Sequence, residues 1–146
     1  MPEIRDITAL DAHPLRKDVL RRGLADPDVH YPQDDDPRSF HLGAYDDGAL
    51  AAVATFTPAA TEWRDGAVAW QLRGMAVTDA LQGTGVGAAI IDAACARLRA
   101  AGAAVLWCNA RDTAQGFYAR LGFSVCGDGF VTADSGLPHH VMVCDL

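Results

Sequence analysis

Residues 70–91 read WQLRGMAVTDALQGTGVGAAII. Trp70, Leu72 and Val77, with polar Gln71 and Arg73 between them, suit a β-strand. Gly74 interrupts that strand, and an isolated strand glycine marks a bulge or a close backbone approach. A turn follows at Thr78-Asp79. Then come Gln82, Gly83, Thr84, Gly85, Val86 and Gly87, and after them residues 88–101, rich in helix formers. Strand, glycine-rich loop and helix together make an anion site. The glycines let the backbone approach a ligand, and the first free N–H groups of the helix point at it.

Three known loops share this outline. A P-loop needs GxxxxGK[ST], and no lysine follows these glycines. A dinucleotide fingerprint is met literally by Gly83, Gly85 and Ala88. The acidic residue expected about 20 positions on is missing, because residues 103–106 are apolar. The third pattern is Q/R-x-x-G-x-G/A, filled by Gln82, Gly85 and Gly87 after a strand ending Met75-Ala76-Val77. It resembles the acetyl-CoA pyrophosphate loop of the GNAT acetyltransferase superfamily. A strand–helix turn without a ligand needs fewer glycines than this.

Composition narrows the class. A chain of 146 residues suggests one domain over residues 1–146, large enough for a real core. With 50% hydrophobic residues it is not disordered. No apolar run approaches the ~20 residues of a membrane span, and the charged start MPEIRDITALDA lacks a signal-peptide core. Cys95, Cys108, Cys126 and Cys144 form no CxxC and lie in apolar segments. They read as reduced packing residues of a cytoplasmic protein, and no metal site is expected. The net charge of −7 argues against nucleic acid as substrate and suits a cationic or neutral small molecule.

The remaining elements follow in order. Residues 3–7 read as a strand. Thr8 and Asp11 resemble a capping box, Pro14 suits a first helical turn, and Leu15, Val19 and Leu20 give a helical stripe to about Arg22. Residues 25–38, ADPDVHYPQDDDPR, are a long acidic loop: a solvated connector, or a lid beside the acceptor site. Residues 39–45 and 49–57 are strands around Asp46-Asp47-Gly48, a hairpin signal. Residues 103–108 are a central strand ended by Asn109-Ala110-Arg111. Asp112 and Gln115 can cap the next helix, whose stripe is Ala114, Phe117, Tyr118 and Leu121, with Gly122 as its stop. Residues 123–131 and 141–146 are the last strands.

The order β-α-loop-β-β-β-α-β-α-β-β predicts an α/β (mixed α+β) fold. Its centre is a mostly antiparallel mixed sheet of six to seven strands, with helices on both faces. That is also the GNAT order. LWCNAR at residues 106–111 with AQGFYARLGF at 114–123 resembles that superfamily's second cofactor segment. HLGA at 41–44 and G-x-P-H-x-x-M at 136–142 resemble its small ElaA-like bacterial branch, and the loop at 25–38 departs from it. The resemblance implies transfer of acetyl from acetyl-CoA to an amine of a small molecule or peptide, by direct attack in a ternary complex. It implies neither a nucleic-acid nor a membrane partner, and it allows a homodimer. The competing class is a non-catalytic CoA-binding or structural module of the same fold.

Site residues carry over one by one. The resemblance assigns backbone groups of Met75, Ala76 and Val77 to the pantetheine arm, with the Val77 N–H polarising the thioester oxygen. It assigns the amides of Gln82, Gly83, Thr84, Gly85, Val86 and Gly87 to the pyrophosphate, and Asn109 to the pantetheine amides. Tyr118 is the candidate general acid; on an apolar helix face it also reads as a core tyrosine. A phenol near ~10 and a thiol near ~8.5 make full proton transfer uphill, so a hydrogen-bond donor is the better description. Strand alternation sends His139 and His140 to opposite faces. The G-x-P-H pattern favours His139 as the base, against a packing histidine. His41 and Glu62 are weaker candidates.

Overall fold

The Asp47-Gly48 pair decides the first hairpin. Both residues take left-handed φ, 53° and 81°, as a type I′ turn requires. They join β2 (Phe40–Asp46) to β3 (Ala49–Pro58). The computed structural model describes residues 2–24 and 28–146. Before the hairpin come β1 (Glu3–Ile7) and α1 (Ala9–Leu15); after it come β4 (Ala69–Val77) and α2 (Val86–Ala100). The chain ends with β5 (Val105–Arg111), α3 (Gln115–Arg120), β6 (Ser124–Val131) and β7 (Pro138–Asp145). The expected element order holds.

One sheet of seven strands runs β1-β2-β3-β4-β5-β7-β6. Only β4 and β5 pair in parallel; the other neighbours are antiparallel. Alternation separates the two faces. Ala52, Ala54 and Phe56 pack with Ile90, Ile91, Leu98 and Tyr118 on the side of α2 and α3. Val53 and Ala76 turn the other way, onto Ala12 of α1. Burying each large aliphatic side chain of this core contributes about 1.5–3 kcal/mol.

The seam between β4 and β5 positions everything that follows. Their pairing runs only from Ala69↔Val105 to Leu72↔Cys108, and beyond it the strands part. On the other edge of β4, Val53 faces Ala76 and Thr55 faces Arg73, so Gly74 and Met75 together oppose Ala54. That is a β-bulge, and Gly74 sits in it at φ 60°. A Cβ at Gly74 would lie 2.9 Å from the Tyr31 ring, so glycine is required on both counts.

Some expectations need correction. Thr8 and Asp11 do form the capping box. Pro14, expected in the first turn, lies inside α1 near its end. It offers no N–H and crowds the carbonyl four residues back. The chain continues as a π-helical turn, Arg16–Leu20. Asp112 does not cap α3: its Oδ1 accepts from Gln115 Nε2 and bonds His140 Nδ1 instead. Strand β7 starts at Pro138 rather than 141, which draws both histidines into the sheet. Ala25, Asp26 and Pro27 of the acidic loop lie outside the described residues. The rest of it includes a 3-10 turn, Pro32–Asp35.

Candidate active site

Two cavities open where β4 and β5 part. One, of ≈ 230 Å³, is lined by the diverging strand ends, with Tyr31, Asp134, Tyr118 and His139 around them. The other, of ≈ 650 Å³, runs from Met75 and Val77 to the glycine loop and α3. Met75, Ala114 and Tyr118 line both. The two cavities therefore meet at these three residues.

The larger cavity ends on α2. Gly85, at φ 92°, is the N-cap, and no side chain caps the helix. The first intrahelical bond runs from the Ala89 N–H to the Gly85 carbonyl, so the N–H groups of Val86, Gly87 and Ala88 have no helical partner. No acidic residue occupies the first turn. Gly87 lies where a Cβ would meet Met75, Val77 and Phe117 at 3.1 Å each. Gln82, Gly83, Gly85, Gly87 and Ala88 line this cavity. Thr84 and Val86 present no side chain to it. Thr84 Oγ1 donates to the Leu81 carbonyl at 2.5 Å, and Val86 is buried in the core.

Along β4 the backbone alternates. The Thr78 N–H bonds the Ala51 carbonyl of β3. Val77 therefore faces its N–H and carbonyl away from β3, towards the gap. The Val77 carbonyl accepts from Gln82 Nε2 at 3.1 Å, which ties the loop to the strand. Ala76 packs its side chain on the α1 face instead.

Tyr118 is 6% exposed, its ring edge-on to Phe117 and Phe123. No described residue hydrogen-bonds its hydroxyl. Burial holds its phenol well above the ordinary range, with Cys108 adding to the effect. His139 reaches the smaller cavity and stacks on Phe130, with ring centroids 5.9 Å apart. Its Nδ1 lies 2.8 Å from the Leu137 carbonyl, which can only accept. That fixes the proton on Nδ1 and leaves the Nε2 lone pair available. His140 points to the other face, where Nδ1 donates to Asp112 at 2.7 Å. Asn109 lies at the open end of β5 and lines the smaller cavity.

His41 and Glu62 are in neither cavity. Glu62 is on an exposed 3-10 turn. His41 joins a buried polar joint under the acidic loop. There, Arg16 is 0% exposed and grips Asp34 with two bonds of 2.7 and 3.0 Å. It also donates to Thr55 Oγ1 at 2.6 Å and lies over the Tyr31 ring. His41 Nδ1 sits 2.7 Å from the same Thr55 hydroxyl. His13, His30 and Asp34 bring ligand-type atoms within 4.8 Å of one another, although Arg16 already engages both Asp34 oxygens. None of this joint was legible in advance, because Arg16 and Asp34 are separated by a loop without periodicity. Arg21, Arg73, Arg111, Tyr31 and Asp134 line the smaller cavity and were also missed. The available signal was an arginine near the diverging end of each of two adjacent strands.

Comparisons with known proteins identify the family and the fold. A family model described as an acetyltransferase (GNAT) domain matches residues 20–146. The chain is 32% identical over 143 residues to an uncharacterized N-acetyltransferase, YitI, of Bacillus subtilis (strain 168), covering 98% of this chain and 95% of that one. Escherichia coli ElaA superposes with a TM-score of 0.76 at 19% identity, over 99% of both chains. An aminoglycoside 6′-N-acetyltransferase complexed with coenzyme A superposes at 0.71 and 14% identity, over 98% of this chain and 96% of that one. No described helix is long and apolar enough to cross a membrane.

Proposed function

The chain belongs to the GNAT acetyltransferase family, and on that premise we propose how its two cavities divide the work. It is an acetyl-CoA-dependent N-acetyltransferase. The larger cavity is the cofactor side and the smaller one receives the amine. The observation that carries this division is that Tyr118 lines both, at the end of the β4–β5 gap.

The residues fit the cofactor. Three unpartnered N–H groups at the start of α2 suit a diphosphate, and Gly87 keeps its place free of a side chain. Acetyl-CoA supplies an activated thioester. The outward N–H of Val77 hydrogen-bonds the thioester oxygen and steadies charge that develops there. Met75 borders the arm on one strand and Asn109 on the other. His139 Nε2 takes the proton from the attacking amine. The amine forms its bond to the acetyl carbon as the carbon–sulfur bond breaks, in a ternary complex without an acyl-enzyme. Tyr118 donates a hydrogen bond to the departing thiolate.

The protein works as a single domain over residues 1–146, in the cytoplasm. Its four cysteines are all free, which suits a reducing compartment. Edge strand β6, with Val125 and Val131 exposed, suits a homodimer. The test is release of free thiol from acetyl-CoA with a broad panel of amines. His139→Ala should lower turnover without changing acetyl-CoA affinity, and His140→Ala should matter less. Full turnover in both variants removes the base assignment; absence of thiol release with every amine removes the catalytic reading and favours a CoA-binding module.

A further inference from the structure

Among the described residues seven arginines form ion pairs: Arg5, Arg16, Arg21, Arg22, Arg38, Arg64 and Arg97. Arg99 and Arg120 have no ion-pair partner among the described residues and are exposed to water. Arg73 and Arg111 differ from both groups. Each is partly buried, and among the described residues neither meets a carboxylate. Both line the smaller cavity.

Their placement is specific. Arg73 stands on β4 beside the Gly74 bulge, its guanidinium 4.7 Å from the centre of the Tyr31 ring. Arg111 ends β5, and one of its nitrogens donates to the Leu20 carbonyl at 2.6 Å; among the described residues the other donors of the fork have no partner. Arg21 is the third cation, paired with Asp134 at 3.1 Å. The cavity therefore holds three guanidinium groups (Arg21, Arg73, Arg111) against one carboxylate (Asp134). This excess persists in a chain of net charge −7. Burial, and then Arg21, pull the Arg111 pKa down from its usual value, with Tyr31 and Asp134 opposing.

We propose that the acceptor is a small amino carboxylate, whose carboxylate is held by Arg111 and Arg73 while its amine faces His139. This rests on the assignment of the smaller cavity to the amine. Arg111 and His139 are directly opposite each other across β5 and β7, so their side chains share one face. A carboxylate on Arg111 thus sets a neighbouring amine beside His139 Nε2. The guanidinium fork suits a carboxylate held by two bonds. CoA's phosphates have their own donors at the start of α2, in the other cavity. The overall acidity of the chain suited a cationic or neutral acceptor; the lining of the cavity points to a zwitterion.

The test compares common α-amino acids, and β-alanine, each with its own carboxamide, at saturating acetyl-CoA. The amide's amine loses its proton more readily, so any preference for the acid comes from the carboxylate. Charge-assisted bonds predict about a ten- to hundredfold higher kcat/KM for at least one acid over its amide. In Arg111→Met that preference should vanish through KM, with acetyl-CoA affinity intact, and Arg73→Met should lose part of it. Arg99→Met, a control on the far end of α2, should keep it. Equal or better turnover of the amides overturns the proposal while leaving acetyl transfer in place. If no amine of either kind releases thiol, the catalytic reading fails, and titration of CoA-saturated protein with the N-acetyl amino acids decides. Binding lost in Arg111→Met retains the carboxylate site, and no binding overturns it.

Discussion

Tyr118 lines both cavities while its ring belongs to the core, and the proposed mechanism uses its hydroxyl as a donor. The ring packs against Phe117 and Phe123. Burial, aided by Cys108, pushes the phenol well above its ordinary pKa. The group therefore stays protonated, a poor acid but a dependable donor. An unsolvated thiolate has no water to accept from, so a single donor weighs more here than in solution. Tyr118→Phe keeps the ring and removes only the donor. It should retain its melting temperature and acetyl-CoA affinity and lose turnover by about 10²-fold, the lower end for groups of this kind. A fully active Phe variant would return Tyr118 to the core alone. The sequence placed this residue well, because a stripe at i, i+3, i+4 and i+7 fixes which face is inward. It did not place Arg73 or Arg111, since a polar residue between apolar strand positions reads as solvent-facing unless the sheet parts beside it.

Among the elements, α2 offers a test of anion binding that spares the fold. Gly83 and Gly85 are unsuitable targets: both have positive φ, so any side chain strains the backbone before it meets a ligand. Ala88 is partly exposed, lines the larger cavity and occupies the first turn of a helix with no acid there. Ala88→Glu should be neutral or stabilising by about 0.3–1 kcal/mol through the helix dipole. The same charge repels a diphosphate, so acetyl-CoA affinity should fall at least about tenfold. Calorimetry showing unchanged affinity would sink the pyrophosphate assignment. The joint beneath the acidic loop carries a pH prediction. Burial, with Arg16 adding and Asp34 opposing, holds His41 below its usual 6.5. The unfolded chain takes up that proton first, so this contribution is complete above 6.5 and is lost as pH falls below it. Asp34 acts lower still. Burial raises its pKa, but Arg16 and the Tyr31 amide outweigh that and hold it below 3.8, so its contribution fails only in stronger acid. His30, raised by its bond to Asp35, acts in the opposite sense and is lost above 6.5. Melting curves from pH 7.5 to 5.5 should show His41→Gln losing less stability than the parent over this window. Parallel curves would mean that His41 does not sense pH through the fold. The loop itself read equally as connector or lid. Its described part is pinned by Arg16, a contact 18 residues away along the chain that periodicity does not reveal.

Over the whole molecule the element order was legible, because each turn carries local chemistry: Asp47-Gly48 at the hairpin, Gly85 before α2, Gly122 after α3. What was not legible is how short the pairing between the two parts of the sheet is. Strands β1 to β4 meet β5 to β7 along one parallel seam, from Ala69↔Val105 to Leu72↔Cys108. Strand ends pair by long-range register, which no local pattern records, so β7 also began three residues earlier than its apolar run implied. Beyond the seam, Arg111 Nη2 reaches the Leu20 carbonyl and Arg21 reaches Asp134, but the backbone of β4 from Arg73 on pairs with no residue of β5. In the proposed complex, a cofactor arm lying in the gap and bonded to Val77 on one strand and Asn109 on the other would complete the sheet. Acetyl-CoA should therefore act as a structural tie as well as a substrate. At a hundredfold excess over its Kd it should add about 2.7 kcal/mol of stability, which for a chain of this size is about 5–10 °C in Tm. The location of the effect is as informative as its size. Hydrogen exchange at the Val77 amide, which alternation leaves unpaired in the sheet, should slow on binding, together with the amides that open α2. A rise in Tm without protection at Val77 would place the ligand elsewhere, and protection confined to α2 would mean that the pyrophosphate is held while the arm does not bridge the strands.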